Sequence, residues 1–123
     1  MIVGIGIDAV QISRMEKWAA NQDLLERYFD ERELSIIRER GKGIIQSLAA
    51  HFAAKEAFTK ALGTGIAGIV LKDIMVLNIR DERPFLHLER SALKAMKTAG
   101  ADKAHVSLTH EGNIALASVI LEK

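Results

Sequence analysis

The chain contains no cysteine, which excludes a disulfide framework and thiol chemistry. It carries almost no net charge, +1 at pH 7. Bulk charge therefore argues against nucleic-acid binding, and an electrostatic partner must be met by a local patch. No apolar run approaches the length of a membrane span, and the start lacks the cationic segment that opens a secretory signal. The expectation is a cytosolic protein with no membrane partner. Linkers, repeats and low-complexity tracts are also missing. What remains is 123 residues of 49% hydrophobic content, one domain over residues 1–123. It is large enough to bury a core and too apolar to be disordered.

The pattern along the chain predicts mixed strands and helices. Val3, Ile5 and Ile7 alternate with Gly4, Gly6 and Asp8, the period of a strand. Its aliphatic face is expected to be buried. Its glycine face would let another backbone or a ligand come close. Ser13 and Glu16 read as a capping box for a helix from Arg14 through Ala20. A short helical turn follows at Leu24 to Tyr28. Asp30 and Glu33 read as a second capping box, opening a helix that ends near Gly41. A long helix spans Ile44 to Leu62. Strands are predicted at Ile69 to Ile79 and Phe85 to Leu88, and Ser91 is expected to cap a helix ending at Gly100. Two apolar runs joined by Gly112-Asn113 read as a closing hairpin. The order β-α-α-α-β-β-α-β-β has no regular βαβ repeat, which indicates an α+β fold.

The run from Phe52 to Gly65 is the most informative stretch. Alanine and leucine favour helix, and Gly63 suits the position just past its end. Glu56 and Lys60 stand one turn apart, between Phe52 and a face of Ala49, Ala53 and Ala57. Taken alone, they read as an ordinary i, i+4 ion pair worth about 0.2–0.5 kcal/mol. Asp8 ends an apolar strand, where Asp is a poor strand former; it either caps a turn or binds a cation. His110 sits beside the hairpin turn, a place that suits a surface residue or an anion contact through a ring N–H. Gly63 and Gly65 permit positive φ, as a plain turn or as exposed N–H groups turned to an anion.

Taken together, these segments resemble one family. Asp8 in a Gly-Ile-Asp strand, Phe-Ala-Ala-Lys-Glu-Ala-Phe-Thr-Lys-Ala-Leu-Gly-Thr-Gly at 52–65, and Val-Ser-Leu-Thr-His at 106–110 match the holo-acyl-carrier-protein synthases. These are small, single-module 4'-phosphopantetheinyl transferases, and the resemblance runs from end to end. The chain departs from the family pattern at three places. His51 stands where Arg is common, Glu82-Arg83-Pro84 where Gly-x-Pro is common, and Arg90 where a Gly often closes the following turn.

The resemblance implies a 4'-phosphopantetheinyl transferase-like fold. It also implies transfer of the phosphopantetheine arm of coenzyme A to a serine of apo acyl carrier protein, with release of adenosine 3',5'-bisphosphate. Asp8 and Glu56 match the family's Mg²⁺ carboxylates, and Lys60 is expected to neutralise charge developing on the pyrophosphate. His51, Lys60, Gly63, Gly65 and His110 match its coenzyme A contacts. Arg14, Lys17, Trp18 and Arg27 form a basic surface with apolar neighbours that suits an acidic carrier. His87 and His105 read as structural or exposed. A homotrimer with sites between subunits is implied as well. Two other readings stay open on the residues alone. One is a metal-dependent nuclease or actin-like ATPase, prompted by Gly6-Ile7-Asp8, with Asp73 as the further carboxylate a nuclease needs. The other is a non-catalytic trimeric nucleotide-binding module.

Overall fold

In the computed structural model, residues 1–79 and 83–123 are described; Glu82 of the Glu82-Arg83-Pro84 departure lies outside them. Strand β1 (Ile2–Gln11) is followed by four helices: α1 (Met15–Ala19), α2 (Gln22–Tyr28), α3 (Glu31–Arg38) and α4 (Ile44–Leu62). Then come β2 (Ile74–Leu77), β3 (Phe85–Leu88), α5 (Arg90–Thr98), β4 (Lys103–Glu111) and β5 (Ile114–Glu122). The expected α+β class holds, with the turn at 24–28 developed into a full helix. An antiparallel three-stranded sheet runs β1-β5-β4, and β2 and β3 form a separate antiparallel pair.

The core lies between α4 and the three-stranded sheet. Ala49, Ala53, Ala57 and Ala61 of α4 meet Val10, Ala115, Ala117, Val119 and Leu121 of the strands, all buried. Small residues on both sides allow close approach. At β1 the approach is closer than any side chain permits. A Cβ added to Gly4 would lie 1.9 Å from the Ala61 carbonyl oxygen, and one on Gly6 would lie 1.9 Å from that of Ala57. One helical turn and one strand repeat differ by only about 1 Å in length, so both glycines meet successive turns of the same helix.

That contact reverses the expected burial of β1. The glycine face is the inner one, and the aliphatic face turns outward. Ile5 and Ile7 are 64% and 62% exposed. In register they share this open face with Ile120, Ser118 and Leu116 of β5.

A second buried layer holds α3, α4 and β2 together through charge. Lys55 is wholly buried. Its Nζ donates to Glu33 Oε1 at 2.6 Å, to the Leu71 carbonyl at 3.1 Å and to the Ile74 carbonyl. It also lies 5.0 Å from the Phe29 ring centre. The other Glu33 oxygen takes the Val76 N–H at 3.0 Å and pairs with His51 Nδ1 at 2.8 Å. Burial alone would raise the Glu33 carboxyl; Lys55 and His51 beside it hold it below the usual carboxylate range. This network also shortens the strand predicted from Ile69. The Leu71 and Ile74 carbonyls turn to Lys55, residues 71–73 form a 3-10 turn, and pairing begins only at Ile74.

The capping expectations need three corrections. Asp30 does cap α3 by accepting from the Arg32 N–H at 2.8 Å, but Glu33 reaches inward instead of back. Ser13 caps nothing. It lies in a 3-10 turn, where its N–H donates to Asn113 Oδ1 at 3.0 Å and its hydroxyl accepts from Asn113 Nδ2 at 3.1 Å. Ser91 lies inside α5 and donates its hydroxyl to Asp73 Oδ2 at 2.6 Å. Arg90, where the family favours Gly, adopts φ 41°, a costly region for a side chain. Its guanidinium compensates by pairing with Asp73 at 2.7 Å and Glu89 at 3.1 Å.

The glycine contact can be tested directly. Gly6→Ala sets a methyl group against main chain that cannot rotate away, so it should destabilise by at least about 1–3 kcal/mol. Gly112→Ala, in open space at a turn with φ 55°, should cost only about 1 kcal/mol. Urea denaturation of the two variants would compare them; equal losses would mean that the β1–α4 contact is not the constraint.

Candidate active site

Asp8 follows Gly4 and Gly6 on the inner face of β1. The strand runs up the sheet as α4 runs down, so Asp8 meets the part of α4 that carries Glu56 and Lys60. Lys60 Nζ donates to Asp8 Oδ1 at 2.9 Å. The lysine side chain is 56% exposed and the aspartate 16% exposed, so the pair stands at the rim with its carboxylate turned in. Asp8 holds the Lys60 ammonium above the usual lysine range. The i, i+4 partner suggested by the sequence is therefore not the one Lys60 takes. Glu56 forms no ion pair among the described residues. Burial raises its carboxyl, and the Asp8 charge raises it further, against lowering by Lys60 and Arg14.

Two carboxylates that resist sharing a site, one of them half-buried and unpaired, fit a hard divalent cation. Mg²⁺ needs only one or two protein carboxylates when phosphate and water supply the rest. Among the described residues no three His, Asp or Glu side chains gather into an all-protein cage. Asp73 does not join Asp8. Its Oδ1 accepts from Arg90 Nε at 3.0 Å, and its Oδ2 accepts from Ser91. The further strand-borne carboxylate required by the nuclease reading is thus spent on structure.

Beyond Leu62 the helix ends as expected. Gly63 is left-handed at φ 77° and donates its N–H to the Lys60 carbonyl at 3.1 Å. Gly65 follows at φ 80°. A Cβ on either would meet nothing, so glycine is present there for the backbone angle, and the loop stands open beside Lys60.

His51 and His110 are elsewhere. Both line a cavity of about 750 Å³ between the first turns of α4, the end of β2 and the edge strand β4. Arg40 and Lys42 add fixed positive charge, while Ile36, Val76 and Leu108 supply an apolar wall. The Gln46 side chain lines it too, and its Oε1 is buried without a partner. Asp8 pairs across the sheet with Ala117, and Ala117 with Leu108 of the cavity wall. Two inter-strand spacings, about 10 Å, therefore separate the carboxylates from the basic cavity. Neither Asp8, Glu56 nor Lys60 reaches the cavity. The structure brings the expected site residues into two groups, not one.

The expected helix from Arg14 starts one residue later: Arg14 closes a 3-10 turn, Lys17 lies in α1 and Arg27 in α2. Arg14, Lys17 and Arg27 are exposed, and Arg14 is near enough to Glu56 to lower its carboxyl. Trp18 is partly buried, with ring centres 5.3 Å from Tyr28 and 5.0 Å from Phe52. It buttresses α1 against α4. His87 and His105 pair with Glu89 and Glu122, consistent with structural or exposed roles.

Sequence reasoning missed Arg40, Lys42 and Gln46 on the cavity wall, and Glu33 behind His51. Arg40-Gly41-Lys42 offered a weak signal as a basic glycine loop before a helix. Glu33 offered none, since it read as part of a cap.

Comparison with known proteins covers the whole chain. Residues 4–117 match the family model of the 4'-phosphopantetheinyl transferase superfamily. A holo-[acyl-carrier-protein] synthase of Treponema denticola is 54% identical over 122 residues, covering 99% of each chain. The crystal structure of the holo-[acyl-carrier-protein] synthase from Neisseria meningitidis superimposes with a TM-score of 0.88 at 33% identity, over 100% of both chains. A holo-(acyl-carrier-protein) synthase from Bacillus anthracis in complex with CoA (3',5'-ADP) superimposes with a TM-score of 0.81 at 34% identity, over 100% of this chain and 98% of that one.

The carboxylate pair has a titration signature. Asp8→Asn removes the second cause of the raised Glu56 carboxyl, so Glu56 should titrate lower than in the wild type. Carboxyl-carbon NMR would read this. An unmoved Glu56 titration would place the Asp8 charge too far away to matter.

Proposed function

The chain belongs to the 4'-phosphopantetheinyl transferase superfamily, and from that premise we propose that it moves the 4'-phosphopantetheine group of coenzyme A to a serine of apo acyl carrier protein. The reaction is Mg²⁺-dependent and releases adenosine 3',5'-bisphosphate. The observation that carries this reading is the meeting of Asp8, Glu56 and Lys60 at the close contact of β1 with α4. The coenzyme A complex of the Bacillus anthracis relative supports the substrate.

The serine hydroxyl gives its proton to a water held by Glu56, its oxygen forms a bond to the phosphorus nearer the pantetheine, the pyrophosphate P–O bond on the far side breaks, and the bisphosphate leaves with the negative charge. Such a transfer needs positioning and charge stabilisation more than covalent help from the protein. Asp8 and Glu56 would hold Mg²⁺, which when bound supplies positive charge to the pyrophosphate oxygens. Lys60 stands at the rim on a flexible stem, free to exchange Asp8 for a phosphate oxygen as charge develops there. The open Gly63–Gly65 loop beside it leaves room for the pyrophosphate. On the other side of α4, Arg40 and Lys42 offer the positive charge that the nucleotide phosphates require, and His51 and His110 line the same cavity.

Within one copy the carboxylates and the basic cavity lie on opposite edges of the sheet. The open apolar face of Ile5, Ile7, Leu116 and Ile120 is the kind of surface that another copy covers. We therefore place the complete site between neighbouring subunits of a homotrimer, the carboxylates from one and the cavity from the next. Arg14 and Lys17 flank the carboxylates and would meet the acidic carrier, with Arg27 and Trp18 extending that surface.

The primary test is to incubate the protein with coenzyme A, Mg²⁺ and apo carrier, and to weigh the carrier by mass spectrometry. The carrier should gain the phosphopantetheine mass, and chelation of the metal should abolish the gain. Asp8→Ala and Glu56→Ala should lose transfer while folded, and Lys60→Ala should lose kcat more than KM. Arg14→Glu should raise KM for the carrier alone, an effect that added salt reproduces in the wild type. Full transfer by Asp8→Ala at ordinary Mg²⁺ would refute the metal assignment.

A mixing experiment tests the shared site. Asp8→Ala and His110→Ala homotrimers, dissociated and reassembled together, should regain part of the activity that each lacks, because some interfaces then hold both intact halves. Recovery no greater than the sum of the separate variants would place the site within one subunit.

A further inference from the structure

The Glu33 carboxylate accepts from Lys55 Nζ at 2.6 Å and from the Val76 N–H at 3.0 Å, and it lies 2.8 Å from His51 Nδ1. An ionised carboxylate has no hydrogen to give, so His51 Nδ1 carries the hydrogen on that bond. The neutral ring then presents a bare lone pair at Nε2, and a further proton can be added only there. His51 Nε2 has no protein partner among the described residues, and the sealed, unpaired side-chain atom among them is Gln46 Oε1. The small exposed part of the His51 side chain, 7%, thus includes Nε2, reached through the cavity that the ring helps to line.

The charged groups around the ring are few. Glu33 faces it from α3, and Lys55 from its own helix, engaged with Glu33. Arg40 and Lys42 face the cavity from the α3–α4 connection, His110 faces it from β4, and Val76 of β2 brings no charge.

We propose that Glu33 is a positioning residue for the nucleotide cavity. It orients the His51 ring and fixes its tautomer, so that His51 grips a phosphorylated nucleoside only by taking up a proton at Nε2. This rests on the reading of the cavity as the nucleotide site. A bare lone pair repels a phosphate oxygen, whereas the imidazolium donates a charge-assisted bond to it. Proton and nucleotide therefore bind together. The proton is held more tightly in the complex than in the free protein. The gain in affinity is present at low pH and is lost as pH rises.

The probe is adenosine 3',5'-bisphosphate, titrated calorimetrically into the full chain near pH 6 and near pH 8.5, in buffers of different ionisation heat. The wild type should lose about tenfold more affinity across that range than His51→Gln does. His51→Gln keeps a donor to Glu33, and what it retains reports the ligand's own phosphates and His110. The wild type should take up a proton that His51→Gln does not. His51→Arg should bind at both pH values without uptake. Nitrogen-15 NMR of the unliganded wild type tests Glu33 without a substitution, and the neutral His51 ring should carry its hydrogen on Nδ1. Identical pH profiles for wild type and His51→Gln, or a hydrogen on Nε2 in the neutral ring, would overturn the proposal while leaving the nucleotide site intact. Failure of the bisphosphate to bind at either pH would overturn both.

Discussion

The closeness of β1 to α4 is the constraint on which the rest of the molecule depends. Two glycines let the strand lie against the carbonyls of Ala57 and Ala61 at a distance no side chain tolerates. Because the helix is this close, the next inward residue of the strand, Asp8, reaches the Glu56 and Lys60 side chains. Because the glycine face is the inner one, the isoleucines of the same strand must face out. One steric fact thus brings Asp8 to Glu56 and Lys60 and leaves an apolar surface exposed. The alanines of α4 and the small residues of β5 extend the same close packing across the sheet.

Charge does for the other side of α4 what close packing does for the first. Lys55 and Glu33 are wholly buried, and each is satisfied by several partners. A buried ion pair contributes little net stability when its desolvation is counted, but removal of one partner is costly. Its consequence here is geometric. Lys55 draws in the Leu71 and Ile74 carbonyls, Glu33 takes the first inward N–H of β2 and the His51 ring, and the cavity wall is built around them. Helix α4 therefore carries two kinds of chemistry. It presents carboxylate and ammonium at its C-terminal half and a basic, half-apolar cavity at its N-terminal half.

That division gives the two edges of the sheet different chemistry. In the proposed reaction the pyrophosphate and nucleotide of coenzyme A call on both kinds of surface, which the sheet holds on opposite edges. In the proposed homotrimer a neighbouring copy would bring its cavity to the carboxylates of the first. The hairpin turn adds a restraint at the same end. Asn113 clasps Ser13, which fixes the turn that carries Arg14 beside Glu56.

The sequence by itself determined most element types, the span of α4 and the closing hairpin, and it singled out Asp8, Glu56, Lys60 and His110 as candidates. These features are local. Helical and strand periods, a glycine past a helix end and a Gly-Asn turn act over a few residues, and the run at 52–65 is long enough to mark its family. Only the tertiary structure decided which partner each group takes. Lys60 turned from Glu56 to Asp8, Ser13 from its own helix to Asn113, Ser91 from a cap to Asp73, and Glu33 from a cap to Lys55. It also decided which face of β1 is inside, because alternation fixes two faces without saying which one another element will cover. In each case the competing partner lies far along the chain. A polar group takes a partner that the packed chain brings within reach, and distance along the sequence carries no weight in that choice.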